Sequence, residues 1–268
     1  MTRPMRSVLF GLLLVCATLA YGTQAPKYIF LFIGDGMGFN HVEASQIYAE
    51  KVGTDTGERS LLFPTFPVMT QVCTRSASHL ITCSSAAATA LATGEKTTNY
   101  VIGMDAKKQH GLKSLARQLK GKGYKIGIIT SASIDHATPG GFYASQPDRS
   151  MYYEIGVDAA NSGFDFFGGA GLLQPRSKRN ASAPCLYDLF HQKGYTMYRG
   201  MDAYNRSHVK DKVLLFPTDT VSGSLKYALD RSEKDLGLPD LTKACLDNFT
   251  ETAKKGFFMM VEGGKIDW

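Results

Sequence analysis

The chain alternates short apolar runs with amphipathic segments over most of its length. Continuous apolar runs predict strands that are buried on both faces, and they lie at Tyr28–Ile33, Lys125–Thr130, Tyr195–Tyr198, Lys212–Phe216 and Phe257–Val261. Segments with helical patterns separate these runs. The alternation predicts an α/β fold, a three-layer sandwich with a central, mainly parallel sheet flanked by helices.

The predicted helices are marked by apolar residues at helical spacing and by glycines near their ends. In the segment Gly111–Lys122, apolar residues recur at i, i+3, i+4 and i+7 from Leu112, which is typical of a helix with one buried face. The other predicted helices are His41–Glu50, Ser84–Thr93, Leu186–Gly194 and Leu238–Lys255. No shift in composition marks a domain boundary, so we expect residues 23–268 to form one domain.

The stretch Ile81–Gly94 begins with small hydroxyl and thiol side chains and continues into Ala-rich sequence that favours helix. We expect Thr82 or a neighbouring serine to cap this helix and Gly94 to end it. A serine in the first turn lies where backbone N–H groups and the helix dipole favour negative charge, which suits a nucleophile that attacks phosphorus or an acyl carbon. Most junctions between Ser or Thr residues and an Ala-rich run are ordinary helix caps. A catalytic interpretation of this stretch therefore needs support from residues elsewhere in the chain.

Polar side chains follow three of the predicted strands. Asp35 follows the first, His136 and Thr138 follow the second, and Glu262 and Asp267 follow the last. Because ligands of parallel sheets bind at the carboxyl ends of the strands, these groups could converge on Mg²⁺, with a further carboxylate for Zn²⁺. Each residue alone has an ordinary structural explanation as a turn residue, a loop histidine, a cap or a solvated side chain, and for Asp35 and His136 taken singly that explanation is favoured.

The composition is that of a globular protein. The chain has 268 residues, of which 44% are hydrophobic and 20% charged, and its formal net charge is +6. Lys and Arg residues are scattered, with no block of five or more, so we expect no nucleic-acid-binding surface.

Residues 1–22 have the pattern of a secretory signal peptide. Arg3 and Arg6 form a basic start, Val8–Leu19 is apolar, and Ala20–Gly22 is a plausible cleavage site. The apolar run is too short for a membrane span, so we expect export to the periplasm or the extracellular space. The cysteines that follow match no zinc-binding spacing, and their pairing stays open: Cys73, Cys83, Cys185 and Cys245.

Several of these motifs together resemble the alkaline phosphatase family. They are Phe32–Gly38, Thr82–Ala90, Thr93–Gly94, His136–Pro139 and Val261–Asp267, in the family's order and at compatible spacings. The resemblance implies the fold of that family, an α/β sandwich with a central parallel sheet. It implies a hydrolase that acts on small-molecule phosphate monoesters through a phosphoserine. It also implies Zn²⁺ at two sites, Mg²⁺ and a homodimer.

The resemblance implies a role for each matching residue. Ser84 takes the position of the nucleophile, which also contacts zinc, and Asp35 that of a carboxylate shared between magnesium and one zinc. Thr138 and Glu262 match magnesium ligands, and His136 falls where family members have Asp or His. A further carboxylate, Asp267, matches a ligand of the other zinc, and Arg149 matches the arginine that holds the phosphate.

Two departures from the family pattern change these expectations. Cys83 stands where the family often has an Asp that orients the arginine. The chain also stops at Trp268, before the family's remaining zinc ligands. We therefore expect a fold that is incomplete at its C-terminal end, zinc sites that are incomplete, weak zinc binding and little or no turnover by these 268 residues.

The sequence supports three alternative functions to different degrees. A phosphodiesterase of the same superfamily stays open and would be separated by comparing monoester with diester substrates. A sulfatase is disfavoured because Cys83–Ala87 lacks the x-Pro-x-Arg sequence after its Cys or Ser. A non-catalytic phosphate- or metal-binding relative would bind anions through the helix N-terminus and Arg149 without forming a phosphoserine.

Overall fold

A parallel β-sheet organises the part of the chain that the computed structural model describes, residues 25–53, 57–207, 211–219 and 223–268. The six strands of this sheet are β1 Tyr28–Gly34, β2 Lys125–Thr130, β3 Phe166–Gly168, β4 Thr196–Arg199, β5 Val213–Phe216 and β6 Phe257–Gly263. Their order is β1-β6-β2-β3-β5-β4, and each neighbouring pair is parallel. The predicted signal peptide at residues 1–22 lies outside the described residues.

The α-helices alternate with these strands. They are α1 Phe39–Val52, α2 Ser84–Thr93, α3 Leu115–Gly121, α4 Ala137–Gly140, α5 Tyr152–Asn161, α6 Leu186–Gln192, α7 Gly200–Asn205 and α8 Leu238–Thr252. The predicted α/β sandwich is confirmed, and the sheet is entirely parallel among the described strands. Within the same residues, no helix combines the length and apolar character needed to cross a membrane.

The two faces of the sheet support separate hydrophobic clusters, because successive side chains of a strand point to opposite faces. Ile128 of β2 packs into a cluster with residues of α2, α3, α5 and α6, whereas the adjacent Ile129 packs with residues of α7 and α8. The sheet is therefore the middle layer of three.

Strand β1 forms one edge of the sheet and is covered unequally. Ile29, Leu31 and Ile33 pack against the first cluster. Phe30 and Phe32, which point to the other face, are 44% and 66% exposed. The Phe30 ring meets another aromatic ring there, that of β6 residue 257, edge-on at 5.3 Å. The outer face of β1 is thus largely open to solvent.

Two predicted details of the helices were wrong. Helix α3 begins at Leu115 rather than Gly111, because Ser114 caps it by accepting a hydrogen bond from the backbone N–H of Arg117. Leu112 precedes the helix and donates its N–H to the carbonyl of Gly103. Helix α2 has Cys83 at its N-cap, with no capping hydrogen bond from the side chain, instead of Thr82 or a serine.

The cysteine pairing that the sequence left open is resolved. The thiols of Cys73, Cys83, Cys185 and Cys245 are all free. Cys73 is exposed, whereas Cys245 lies on the buried face of α8, where burial raises the pKa of its thiol well above the ordinary value.

Candidate active site

The polar residues predicted from the strand ends lie at the carboxyl edge of three strands that are neighbours in the sheet. Asp35 follows β1, Glu262 belongs to β6, and the segment leading to His136 follows β2. The backbone N–H of Asp35 bonds to the carbonyl of Gly263 at 3.4 Å, which ties the end of β1 to the end of β6. This edge is where parallel sheets bind ligands.

Ser84 is the first residue of α2 and faces this edge. Its Oγ donates a hydrogen bond of 2.9 Å to Oδ2 of Asp35. Helix α2 is Ala-rich because it packs closely: a methyl group on Gly141 would lie 2.8 Å from Cβ of Ala88. The helix ends at Gly94, whose φ of 80° is left-handed and suits glycine. Close packing thus holds α2, and Ser84 with it, against α4, which follows β2.

Asp35 is half-buried, and its carboxyl pKa is raised. Burial is the largest cause, and the negative charge of Asp267 adds to it. The hydrogen bond from Ser84 and the positive charge of Arg149 act in the opposite direction. Asp267 lies directly against Gly36, where a methyl group would come within 2.4 Å of its Oδ1. Two carboxylates and a guanidinium therefore share the surroundings of the Ser84 hydroxyl.

Glu262 is completely buried, and burial raises the pKa of its carboxyl to about 7. Its Oε2 accepts a hydrogen bond from the hydroxyl of Thr130, its register partner on β2. Its Oε1 has no hydrogen-bond partner. Thr138 lies close enough to lower the pKa of Glu262, yet its buried hydroxyl makes no hydrogen bond of acceptable geometry.

His136 precedes α4 and is mostly buried. Burial lowers the pKa of its imidazole to about 4, and the nearby charge of Arg149 contributes. The ring lies edge-on to Trp268 at 5.7 Å and roughly parallel to Tyr152 at 6.4 Å. Its Nδ1 is buried without a hydrogen-bond partner. A neutral imidazole with a free ring nitrogen has the form that binds metals.

Arg149 lies before α5, and its charge affects three titratable groups of the site. Its positive charge opposes the rise in the pKa values of Asp35 and Glu262, and it adds to the lowering of the pKa of His136. All the predicted site residues are thus brought to one edge of the sheet: Asp35, Ser84, His136, Thr138, Arg149, Glu262 and Asp267.

A divalent cation fits this set of donors. His136 Nδ1, Thr138 Oγ1 and Glu262 Oε1 are buried polar atoms without partners, and such atoms cost free energy unless something binds them. Carboxylate and hydroxyl oxygens are the ligands that Mg²⁺ prefers. Over the described ranges, however, no three His, Cys, Asp or Glu side chains are grouped closely enough to hold a metal alone. The hydroxyl donors are therefore part of the fit.

Sequence reasoning missed two kinds of residue at this site. One is Thr130, which donates a hydrogen bond to Glu262 and is the last residue of an apolar strand. A polar residue at the end of such a strand is a sequence signal that could have indicated a site residue. Asn99, whose Oδ1 accepts a hydrogen bond from the N–H of Cys83 at 3.2 Å, lies in an irregular segment with no periodic pattern to mark it.

An all-parallel sheet with polar side chains from three adjacent strand ends is the arrangement in which α/β proteins bind ligands at the carboxyl edge. The chain belongs to the alkaline phosphatase family, because the family described as alkaline phosphatase matches residues 26–165 and 186–268. The resemblance seen in the sequence motifs is confirmed.

Similar proteins carry the same name. Alkaline phosphatase 4 of Bacillus subtilis (strain 168) is 32% identical over 256 residues, which cover 90% of this chain and 52% of that protein. The tissue-nonspecific isozyme of Rattus norvegicus is 26% identical over 295 residues, covering 91% of this chain and 55% of the isozyme. The chain therefore spans about half the length of these curated relatives.

Solved structures agree on the fold. A cold-active alkaline phosphatase from Shewanella sp. aligns with a TM-score of 0.73 at 28% identity, over 88% of this chain and 56% of that one. The alkaline phosphatase of the Antarctic bacterium TAB5 aligns with a TM-score of 0.74 at 26% identity, over 91% and 67%. A variant of the TAB5 enzyme, with Mg bound in its M3 site, aligns with a TM-score of 0.70 at 25% identity, over 91% and 66%.

Proposed function

We propose that the chain carries the phosphoryl-transfer machinery of a phosphate monoester hydrolase in which Ser84 is phosphorylated and water then hydrolyses the phosphoserine. The observation that supports this most directly is the 2.9 Å hydrogen bond from Ser84 Oγ to Asp35 Oδ2, at the N-terminus of α2. A serine hydroxyl is a weak nucleophile at its ordinary pKa, so it needs such a polar environment to react. The names of the relatives support the same reaction class.

In this proposal the residues of the candidate active site have defined tasks. Arg149 binds two phosphate oxygens through its guanidinium fork, and the first N–H groups of α2 face the same anion. Asp35 orients the hydroxyl of Ser84. As Ser84 Oγ forms its bond to phosphorus, it gives up its hydroxyl proton, the bond from phosphorus to the alcohol oxygen breaks, and that oxygen takes up a proton to leave as the alcohol. Water then attacks the phosphoserine, which releases inorganic phosphate and restores the hydroxyl.

The cation donors fall into two groups. Asp35, His136, Thr138 and Glu262 would hold Mg²⁺, whereas Asp35, Ser84 and Asp267 would contact Zn²⁺ at two sites. When bound, these cations would supply Lewis-acid chemistry, lowering the pKa of the Ser84 hydroxyl and neutralising phosphate charge.

We expect low turnover from these 268 residues alone. The donors assembled here include one imidazole, that of His136, and zinc sites are usually built from several His or Cys ligands. Zinc should therefore bind weakly. Rapid hydrolysis of an aryl phosphate by the purified chain with added Zn²⁺ and Mg²⁺ would contradict this expectation. Export directed by residues 1–22 and a homodimer stay predictions.

A phosphoserine trap tests the proposal even when turnover is slow. The chain is incubated with a radiolabelled phosphate monoester, quenched in acid and digested, and the labelled peptide is identified by mass spectrometry. We expect the label on Ser84 and none in Ser84→Ala. Ser85→Ala is the matched control, because Ser85 is adjacent but fully buried, and it should keep the label.

The outcomes separate the alternatives. Equal labelling of Ser84→Ala would overturn the assignment of the nucleophile. Phosphate binding without any label on the chain would identify a non-catalytic binding protein. Faster release of product from a diester than from a monoester would identify a phosphodiesterase.

A further inference from the structure

An irregular segment, Thr97–Gly103, lies between the N-terminus of α2 and the segment that carries Arg149. It contacts both sides through hydrogen bonds that involve its backbone or the side chain of Asn99. None of its residues is proposed to react with substrate or to bind a metal. Its contacts nevertheless connect the proposed nucleophile to the proposed phosphate-binding residue.

Asn99 holds the chain immediately before Ser84. Its side chain is buried, and Oδ1 accepts the backbone N–H of Cys83 at 3.2 Å. Its Nδ2 donates to the carbonyl of Ile81 at 3.1 Å. One amide therefore bonds to both an N–H and a carbonyl of the segment that enters α2. Rotation or sliding of that segment would break both bonds.

Tyr100 extends the connection to Arg149 through its backbone. Its N–H donates to the Cys83 sulfur at 3.1 Å, and its carbonyl accepts the N–H of Arg149 at 2.7 Å. The residue has a φ of 71°, a left-handed conformation that is unfavourable for an aromatic residue. Such a conformation persists where surrounding contacts enforce it, and it clusters at functional sites.

Two further contacts fix the segment in place. Ile102 and Gln146 exchange a pair of backbone hydrogen bonds of 2.9 and 3.0 Å. The N–H of Gly103 donates to the hydroxyl of Thr89, in the middle of α2, at 2.9 Å. The segment is thus attached to the N-cap and to the middle of α2, and at two points to the segment that carries Arg149.

We propose that Asn99 and Tyr100 are positioning residues that set the placement of Arg149 relative to Ser84, through two backbone hydrogen bonds and one side-chain clamp. This inference rests on the proposed function, because it assumes that Ser84 and Arg149 act on the same phosphate. The phenol of Tyr100 has no part in it; the residue acts through its N–H and its carbonyl.

The test measures the affinity of the full chain for inorganic phosphate by titration calorimetry, with Mg²⁺ and Zn²⁺ present. Asn99→Ala removes both side-chain bonds, and we expect about tenfold weaker binding, since small displacements of binding groups cost this much or more. Tyr100→Asn keeps the backbone groups and tolerates a left-handed φ, so its affinity should stay within about threefold.

A double-mutant cycle separates positioning from a general structural role. If Asn99 acts by placing Arg149, then Asn99→Ala should cause no further loss in an Arg149→Ala background. The matched control is Asn161→Ala, which also loses a bond from an amide to a backbone carbonyl, but on α5; it should bind phosphate normally. Circular dichroism melting of each variant checks that the fold is intact.

Distinct results overturn the two proposals. Unchanged affinity in Asn99→Ala, or the same loss with and without Arg149, would overturn the positioning role alone. Unchanged affinity in Arg149→Ala would overturn both the positioning role and the proposed task of Arg149 in phosphate binding.

Discussion

Strands β1 and β6 are neighbours with similar apolar sequences, but the fold treats them differently. They pair in register from Tyr28 and Phe257 to Gly34 and Gly263. Residues 257–262 of β6 are all buried, whereas exposed and half-buried residues alternate along most of β1. The difference arises because β6 has a strand on each side, while β1 is an edge strand whose second face carries no helix in the described part of the chain.

The difference in burial between the two strands extends to the candidate site. Each strand delivers one carboxylate to the same edge: β6 provides the buried Glu262, with a pKa raised to about 7, and β1 provides the half-buried Asp35. One oxygen of the buried Glu262 carboxylate has no hydrogen-bond partner, so its burial is costly unless a ligand binds it. The Asp35 carboxylate remains accessible to Ser84 and to a substrate. Neighbouring strands can therefore supply chemically different carboxylates because their burial differs.

The largest effect should come from truncating the core of β6. Phe258 is fully buried, so Phe258→Ala should lower the free energy of unfolding by about 3–5 kcal/mol. Urea denaturation followed by circular dichroism measures this. A loss under 1 kcal/mol, on the order expected for a surface site, would mean that β6 is less well packed than the structure shows.

The next effect concerns the carboxylate of β6. Mg²⁺ at about one hundred times its Kd should stabilise the chain by about 2.7 kcal/mol. Glu262→Gln should abolish most of this gain, because a neutral amide is a poor cation ligand. Asp247→Asn, which changes an exposed carboxylate on α8, should retain it. Thermal melts with and without Mg²⁺ decide the matter, and equal gains in both variants would exclude Glu262 as a ligand.

A smaller effect should follow from crowding the covered face of β2. A methyl group on Gly127 would lie 2.6 Å from the Cys245 sulfur of α8, so Gly127→Ala should cost about 1–3 kcal/mol. Denaturant midpoints measure the loss. Stability equal to that of the unaltered chain would show that α8 can move away from the sheet at little cost.

The smallest effect should come from the open face of β1. Phe32 is 66% exposed, so Phe32→Lys should change the free energy of unfolding by at most about 0.5 kcal/mol. It should, however, reduce self-association, because charged residues block pairing at sheet edges. Light scattering at increasing concentration tests this. A strongly destabilised variant would indicate that the β1 face is covered in solution.

The sequence predicted the long, regular elements well. Ser84–Thr93 and Lys125–Thr130 were predicted with the bounds that the structure has, because a glycine ends the first and the second is an unbroken apolar run. Helix α5 was missed. It contains Gly156, which looks like a helix breaker in the sequence but is required by packing, since a methyl group there would lie 2.3 Å from Leu186.

Burial explains what the sequence could not supply at the site. The order of Asp35, His136 and Glu262 along the chain, with each following a strand, was enough to predict that they meet. Which carboxylate is fully buried depends on the strand order, and strand order is not encoded locally. The hydrogen bonds of Asn99 depend on a loop conformation that has no periodicity, so only the structure reveals them.

The contact between His136 and Trp268 has a practical consequence. Trp268 is the single tryptophan of the chain, and its indole lies edge-on to the imidazole at 5.7 Å. Tryptophan fluorescence therefore originates from one position beside the candidate metal ligands. The tryptophan emission of the unmodified protein would therefore report whether a cation occupies the neighbouring candidate metal site during a metal titration. No attached dye or coupled assay is needed.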